Sequence, residues 1–214
     1  MPRSAALLAS LAPLAIATTF FLSGCGSIQT APLPSSTVRL TPNPPHIYVA
    51  PFDTTTAKWM VGREGTELYY FKKEFQTYFV HQLQTRLMKL APSEPRWTDD
   101  LPDHGWLVAG EFVTVDQGSR ALRATLGAGL GETTLETNVY VYDLDVSKTQ
   151  YVLAFRTGVP NPDNTTGAGS GSAPTGLSAL GEPVSTMIAI GSGLKLDTTR
   201  TCREITAYLA QYAQ

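Results

Sequence analysis

The chain has 214 residues, of which 43% are hydrophobic, so it is long enough for one ordinary domain with a hydrophobic core. Its 16 basic and 18 acidic residues give a net charge of −2, which offers no electrostatic reason to expect nucleic acid as a partner. Two cysteines are too few for a disulfide-rich scaffold.

The first 24 residues predict a lipoprotein signal peptide. Arg3 precedes an apolar run from Ala5 to Leu22, and this layout of charged start, apolar centre and small residues is typical of a secretory signal. The segment that closes the run resembles a bacterial lipobox and consists of Leu22, Ser23, Gly24 and Cys25. The resemblance implies cleavage before Cys25 and lipidation of its side chain.

Two other interpretations of this segment fit less well: a secretory signal with a chance cysteine, and an uncleaved membrane helix. Pro13 interrupts the run, and Gly26-Ser27 leads into a polar stretch instead of a second charged flank. A mature lipoprotein carries several acyl chains, and more than one chain is enough to hold a protein stably on a membrane. Gly26 stands where familiar Gram-negative lipoproteins retained at the inner membrane carry aspartate. We therefore expect an outer-membrane lipoprotein, lipid-anchored with its domain in the periplasm.

Composition divides the rest of the chain. Residues 25–45 are rich in proline and hydroxyl residues and predict an extended tether. Residues 46–214 predict a single domain, which begins with a strand over His46–Phe52 that Pro51 places at an edge or a strand end.

A long amphipathic helix is predicted over Leu68–Leu90, followed by a polar loop. Its apolar residues recur three or four apart, which favours a core stripe over a ligand-gripping surface; they are Leu68, Phe71, Phe75, Phe79, Leu83, Leu87 and Leu90. The loop over 98–105 contains three aspartates and His104, but nothing fixes a coordination geometry. It is interpreted as a solvated turn, and no metal or cofactor is expected.

Three strands are predicted in the centre of the chain: Trp106–Val115, Thr134–Leu144 and Gln150–Thr157. In the second of them, Leu135, Val139 and Val141 alternate with Asn138, Tyr140 and Tyr142. Short connections imply antiparallel pairing. The predicted fold class is α+β, with a small mixed or antiparallel sheet of about 4–5 strands flanked by two main helices.

A glycine-rich segment, 118–131, joins the first two of these strands. Leu122, Ala124, Leu126, Ala128 and Leu130 would share one face of an extended chain. The glycine spacing is not that of a dinucleotide-binding fingerprint, and no phosphate-binding loop occurs in the chain. These glycines are otherwise explained by a bend or a close backbone approach.

This segment resembles a known family. The order of Gly110, Gly118, Arg123, Gly127 and Gly129, followed by a strand ending in Tyr142-Asp143, resembles the bacterial lipoprotein family called domain of unknown function 4410. More distantly it is similar to the curli secretion lipoprotein, in which such a segment forms a membrane-spanning hairpin of an oligomeric pore. The resemblance implies a membrane or oligomer segment at Gly118, Arg123, Gly127, Gly129 and Gly131.

The C-terminal part predicts a mobile loop at about 158–183, a short apolar element over Val184–Ile190 and a last helix. Asp197 is expected to cap that helix, which runs to about Tyr212. Cys202 falls on its apolar face and is interpreted as a small core residue.

Two functions follow from the sequence. The first is a non-catalytic binding or assembly module in the periplasm, because no nucleophile elbow, zinc-binding pair or distinguishable carboxylate pair is found. Its partner would be an envelope protein or a second copy of the chain, besides the membrane. The alternative is an oligomeric outer-membrane secretion-channel subunit, because the nine residues 122–130 suffice for about one tilted membrane strand.

Overall fold

A computed structural model describes residues 29–34, 39–98, 100–118, 133–159 and 190–214, and every structural statement below concerns these residues. The predicted signal peptide at 1–24, the lipidation site Cys25 and the predicted short element over 184–190, except Ile190, lie outside them. So do the glycine-rich segment, except Gly118, and all of the predicted loop 158–183 beyond residue 159.

The described residues form seven strands and two helices around one sheet. The strands are β1 (Gln29–Pro32), β2 (Ile47–Val49), β3 (Lys58–Met60), β4 (Ser93–Pro95), β5 (Trp106–Asp116), β6 (Thr134–Asp143) and β7 (Leu153–Val159). The helices are α1 (Gly65–Leu87) and α2 (Ser192–Ala210).

The sheet is mixed, with the order β1-β7-β6-β5-β2-β4, and β3 pairs with the other half of β5. β5, β6, β7 and β1 pair antiparallel, as the short connections between β5, β6 and β7 require. β2, β3 and β4 run parallel to their neighbours, and α1 supplies the crossover. The α+β class and the mixed sheet are confirmed, but the predicted strand count is too low because β1, β3 and β4 are only 3–4 residues long.

The two ends of the sheet are used below as reference points. At the Gly118 end, Asp116 of β5 pairs with Thr134 of β6, and Val159 of β7 lies opposite Gln29 of β1. At the Asp143 end, Trp106 of β5 pairs with Asp143 of β6.

Helix α1 packs its apolar stripe on one face of the sheet. Phe71, Phe75, Phe79, Leu83 and Leu87 are fully buried, as the spacing predicts. Their aromatic rings surround Phe112 of β5, whose ring centre lies 5.3 Å from that of Phe75 and 5.1 Å from that of Phe79. Such contacts stabilise a core beyond the area that they bury.

Helix α2 packs beside α1 and begins earlier than predicted. It starts at Ser192 with Gly191 as its N-cap, so the prediction that Asp197 caps it is wrong. Asp197 instead lies inside the helix, 8% exposed, where it accepts a hydrogen bond from the Thr133 hydroxyl. Cys202 is fully buried, and that burial raises the pKa of its thiol, so it is a core residue.

Part of the predicted tether belongs to the fold. β1 extends the sheet beside β7, and Leu40 is 6% exposed in the core. The Thr41 N–H donates to Asp143 Oδ2 at 2.6 Å, and the Trp106 indole donates to the Thr41 carbonyl at 3.1 Å. The N-terminal strap, residues 29–34 and 39–45, therefore runs from the Gly118 end to the Asp143 end, and the folded part begins before His46.

Candidate binding surface

The helices cover one face of the sheet and, among the described residues, no helix covers the other. Strand β6 shows this directly, because buried Leu135, Val139 and Val141 alternate with half-buried side chains on the other face. The half-buried residues are Thr134, Glu136, Asn138, Tyr140 and Tyr142. The sequence predicted that these two sets of side chains lie on opposite faces of the sheet. We call the face with the half-buried side chains the uncovered face.

A carboxylate stands at the centre of the uncovered face. Glu111 of β5 lies opposite Asn138 of β6, and Tyr140 is two residues further along β6 on the same face. The Asn138 amide donates to Glu111 Oε1 at 2.8 Å, and the Tyr140 hydroxyl donates to the same oxygen at 2.9 Å. Hydrogen bonds to a charged acceptor are stronger than neutral ones. Three side chains from two strands therefore hold one another in place.

This arrangement changes the acidity of Tyr140. Partial removal from water, followed by the hydrogen bond to Glu111 and its negative charge, raises the pKa of Tyr140 to about 12. The hydroxyl therefore keeps its proton throughout the physiological range and acts as a donor.

Three tyrosines form an aromatic cluster next to this carboxylate. The ring centre of Tyr151 lies 5.2 Å from that of Tyr140 and 6.3 Å from that of Tyr142. Tyr151 is 38% exposed. Tyrosine offers a large rigid apolar surface with a polar tip, a combination that is enriched where proteins contact partners. We call Tyr140, Tyr142 and Tyr151 the tyrosine cluster.

An ion pair borders the cluster toward the Gly118 end. The Arg156 guanidinium donates to Glu136 Oε2 at 2.8 Å, and the Thr114 hydroxyl donates to the same oxygen at 2.9 Å. Arg156 lies opposite Asn138 in the register. Two shielded atoms there, Asn138 Oδ1 and Arg156 Nε, have no hydrogen-bond partner among the described residues.

A shallow groove borders the cluster toward the Asp143 end. Its floor is Leu107, which lies opposite Tyr142 in the register, and one wall is Trp97, which is 48% exposed. The groove has a volume of about 420 Å³, and its remaining lining residues are Ala50, Pro51, Arg96, Thr98 and Leu101. We call it the Trp97 groove, and the pairing of Leu107 with Tyr142 links it to the tyrosine cluster.

The other groups singled out in the sequence have structural partners. Asp143, fully buried, accepts the Thr41 and Asp145 backbone N–H groups. His104 Nδ1 contacts Asp145 Oδ1 at 2.5 Å, and Lys148 pairs with Asp103 at 2.6 Å. No group of three metal-ligating side chains occurs within the described ranges.

The glycines of the sequence pattern fall into two groups. Gly110 allows the Phe52 ring to pack on β5, because a side-chain carbon at that position would lie 2.5 Å from a ring atom. Gly118 has φ +66°, and its N–H donates to Asp116 Oδ1 at 2.7 Å in a tight turn. Arg123, Gly127, Gly129 and Gly131 lie outside the described residues.

The fold and the surface together define a class: an α+β domain with helices on one face of a mixed sheet and an aromatic, polar surface on the other. The sequence profile of the family described as a domain of unknown function (DUF4410) matches residues 63–180, more than half of the chain. The chain belongs to this family, as its glycine and arginine pattern predicted. No curated protein matches it in sequence.

Solved structures with a similar chain course are those of PelC from Paraburkholderia phytofirmans. In the PelC dodecamer of space group P6, the PelC chain is 9% identical to this chain, and the two superpose with a TM-score of 0.46. The match covers 88% of this chain and 98% of the PelC chain. A dodecamer of a singly substituted PelC in space group C2 is 10% identical with a TM-score of 0.43 and the same coverage. In the described part of this chain, neither helix has the length and apolar character that crossing a membrane requires.

Proposed function

We propose that this protein is a lipid-anchored component of the bacterial envelope whose domain binds an envelope protein through the uncovered face. The anchor is supported by the lipobox of Leu22, Ser23 and Gly24 before Cys25. The expected location is the outer membrane, with the domain in the periplasm.

The observation that carries the binding role is the construction of the uncovered face. The tyrosine cluster and the Trp97 groove bring large aromatic side chains to the surface. Glu111 and its two donors fix one of these rings before any partner arrives. Residues held in place lose little rotamer freedom on binding, and tyrosine and tryptophan dominate the energetics of many interfaces.

The test is site-specific crosslinking in living cells. A photoreactive amino acid replaces Tyr151 on the uncovered face or, as the matched control, Met88 at the end of α1, since both side chains are exposed. We expect a reproducible crosslinked envelope protein from position 151 and none from position 88. Equal products from both positions, or none from position 151, would overturn the proposal.

We also propose that the domain is not an enzyme. What supports this is that Glu111 of β5 and Asp143 of β6 serve as acceptors for groups of the fold itself. The test is incubation of the purified protein with cell-wall and glycan substrates. Turnover that is lost in Asp143→Ala while the protein stays folded would contradict this part of the proposal.

A secretion-channel subunit is the second candidate, and one observation favours it. β5 and β6 stay paired up to Asp116 and Thr134, so the glycine-rich segment 118–131 belongs to the connection between two adjacent antiparallel strands. A connection of this kind is where a hairpin can be extended.

Two measurements separate the candidates. Light scattering of the detergent-extracted protein, corrected for detergent, gives several times the monomer mass for a channel and a monomer or dimer for a tethered binding module. The Leu126→Asp variant abolishes membrane conductance if the segment lines a pore, and leaves the membrane unaffected otherwise.

A further inference from the structure

We propose that the Gly118 end of the domain lies against the surface of the membrane that holds the anchor. This inference rests on the proposed lipid anchor at Cys25 and adds an orientation and a contact surface to it. Three observations carry it: the register of β1, the length of the sheet and the exposed apolar and aromatic side chains at the Gly118 end.

The register of β1 sets the distance to the lipid. β1 runs antiparallel to β7 with Gln29 opposite Val159, so its first residue lies at the Gly118 end. Only residues 26–28 separate Gln29 from Cys25. Fully extended, that connection reaches roughly 14 Å, whereas a free tether up to His46 would reach roughly 70 Å. The domain is therefore held close to the lipid headgroups.

The length of the sheet sets the direction. β5 has 11 residues, so the Asp143 end lies roughly 33 Å from the Gly118 end. A connection of roughly 14 Å cannot bring Cys25 to that far end. The Gly118 end is consequently the part of the domain nearest the membrane.

The exposed side chains at the Gly118 end suit a lipid surface. β3 pairs with the last residues of β5, and Met60 there is 38% exposed. Tyr69 and Tyr70, near the start of α1, are 53% and 54% exposed, and the Lys73 ammonium lies 5.1 Å from the Tyr69 ring centre. Tyrosine is enriched at the level of lipid headgroups, and lysine is attracted to anionic lipids.

The charged groups of the two ends do not oppose this orientation. At the Asp143 end, Asp100 and Asp103 expose 91% and 83% of their side chains but pair with Arg96 and Lys148. At the Gly118 end, the exposed Glu67 pairs with Arg63 in the same way. The orientation therefore rests on the short connection to Cys25 and on the exposed apolar and aromatic side chains of the Gly118 end.

The experiment measures the distance of each end from lipid in the full-length, lipidated protein. Met60→Cys and Val146→Cys place a fluorophore at the Gly118 end and the Asp143 end respectively, since Val146 is 49% exposed just after Asp143. Buried Cys202 is withheld from labelling, and Cys25 is acylated. Energy transfer to an acceptor on the headgroups of phosphatidylethanolamine–phosphatidylglycerol vesicles is then compared.

We expect roughly three-fold higher transfer from position 60 than from position 146, because the two ends lie roughly 33 Å apart. A matched variant with about twelve glycine and serine residues inserted after Ser27 keeps the domain but frees it from the lipid, and it lowers the transfer from position 60. Equal transfer from both positions, or no effect of the insertion, overturns the inference.

A separate measurement distinguishes a wrong orientation from a missing anchor. The incorporation of radioactive palmitate is compared between the wild-type protein and the Cys25→Ser variant. An unlabelled protein overturns the proposed function and this inference with it. A labelled protein with equal transfer from both ends overturns the orientation alone.

Discussion

The two faces of the sheet differ in burial and in the contacts of their side chains, although the same strands form both. On the covered face, Val139 and Val141 of β6 are fully buried against the core that the helices complete. On the uncovered face, Tyr140 and Tyr142 stay partly exposed and are held by rings and a carboxylate. Stability is concentrated on one face and recognition is proposed for the other, so substitutions on the two faces should have separable effects.

The largest effect is expected at the centre of the covered face. Phe112→Ala removes a fully buried ring that contacts Phe52, Phe75 and Phe79, and should lower the free energy of unfolding by about 4 kcal/mol. Urea unfolding followed by tryptophan fluorescence measures this loss. A loss below that of any uncovered-face variant would contradict the division between the faces.

The second largest loss of stability is expected where Asp143 holds the N-terminal strap. Asp143→Ala leaves the Thr41 and Asp145 N–H groups without their acceptor, and should cost about 3 kcal/mol. Asp143→Asn, which keeps one acceptor oxygen, is the matched control and should lose less. Limited proteolysis within residues 39–45 should become faster in the alanine variant, and unchanged protection would mean that Asp143 does not hold the strap.

A smaller effect, visible in its pH dependence, is expected at Tyr140. Its raised pKa means that the native protein keeps a proton which the unfolded chain gives up. Its contribution is therefore intact below about pH 10 and is lost as the pH rises toward about 12. Tyr140→Phe should cost about 1 kcal/mol at neutral pH and flatten this alkaline loss.

The matched control for Tyr140 is Tyr208 of α2. Burial, followed by a hydrogen bond to Tyr212, raises the pKa of Tyr208 to about 12 as well, so the wild-type titration contains both groups. Ultraviolet titration should show one late-ionising tyrosine fewer in Tyr140→Phe and in Tyr208→Phe. If Tyr140→Phe leaves the titration unchanged, the link between Glu111 and Tyr140 is refuted.

The smallest stability effect, and the sharpest functional one, is expected at Tyr142. Tyr142→Ala removes a ring from the uncovered face, where no core cavity is left, and should cost less than about 1 kcal/mol. We expect it to reduce crosslinking from position 151 to the level of position 88. A strong loss of stability with unchanged crosslinking would assign this ring to the core.

The regular elements could be predicted because their patterns are long. The 23 residues of α1 and the 10 residues of β6 repeat their burial period several times, so periodicity identifies both. β1, β3 and β4 have 3–4 residues each, too few for a pattern, and exist through pairing with distant strands. The misplaced start of α2 has a similar cause, because Asp197 binds Thr133 across the fold instead of a local amide.

The candidate surface could be predicted only in part. Alternation in β6 indicated which side chains face away from Val139, but not what they meet. Glu111 and Tyr140 are 29 positions apart, and the strand register alone brings them together. The Trp97 groove depends on a loop that crosses the sheet toward Leu107, which no local signal encodes.

The outermost strands of the described sheet bear on how copies of this protein can associate. β1 contains Pro32, β4 contains Pro95 and the three-residue β3 begins with Lys58. Proline has no amide proton to offer a further strand, and short charged borders resist such addition. Among the described residues, the borders of the sheet therefore disfavour continuation by the sheet of a second copy, and side-chain surfaces are left as the favoured route to an ordered array.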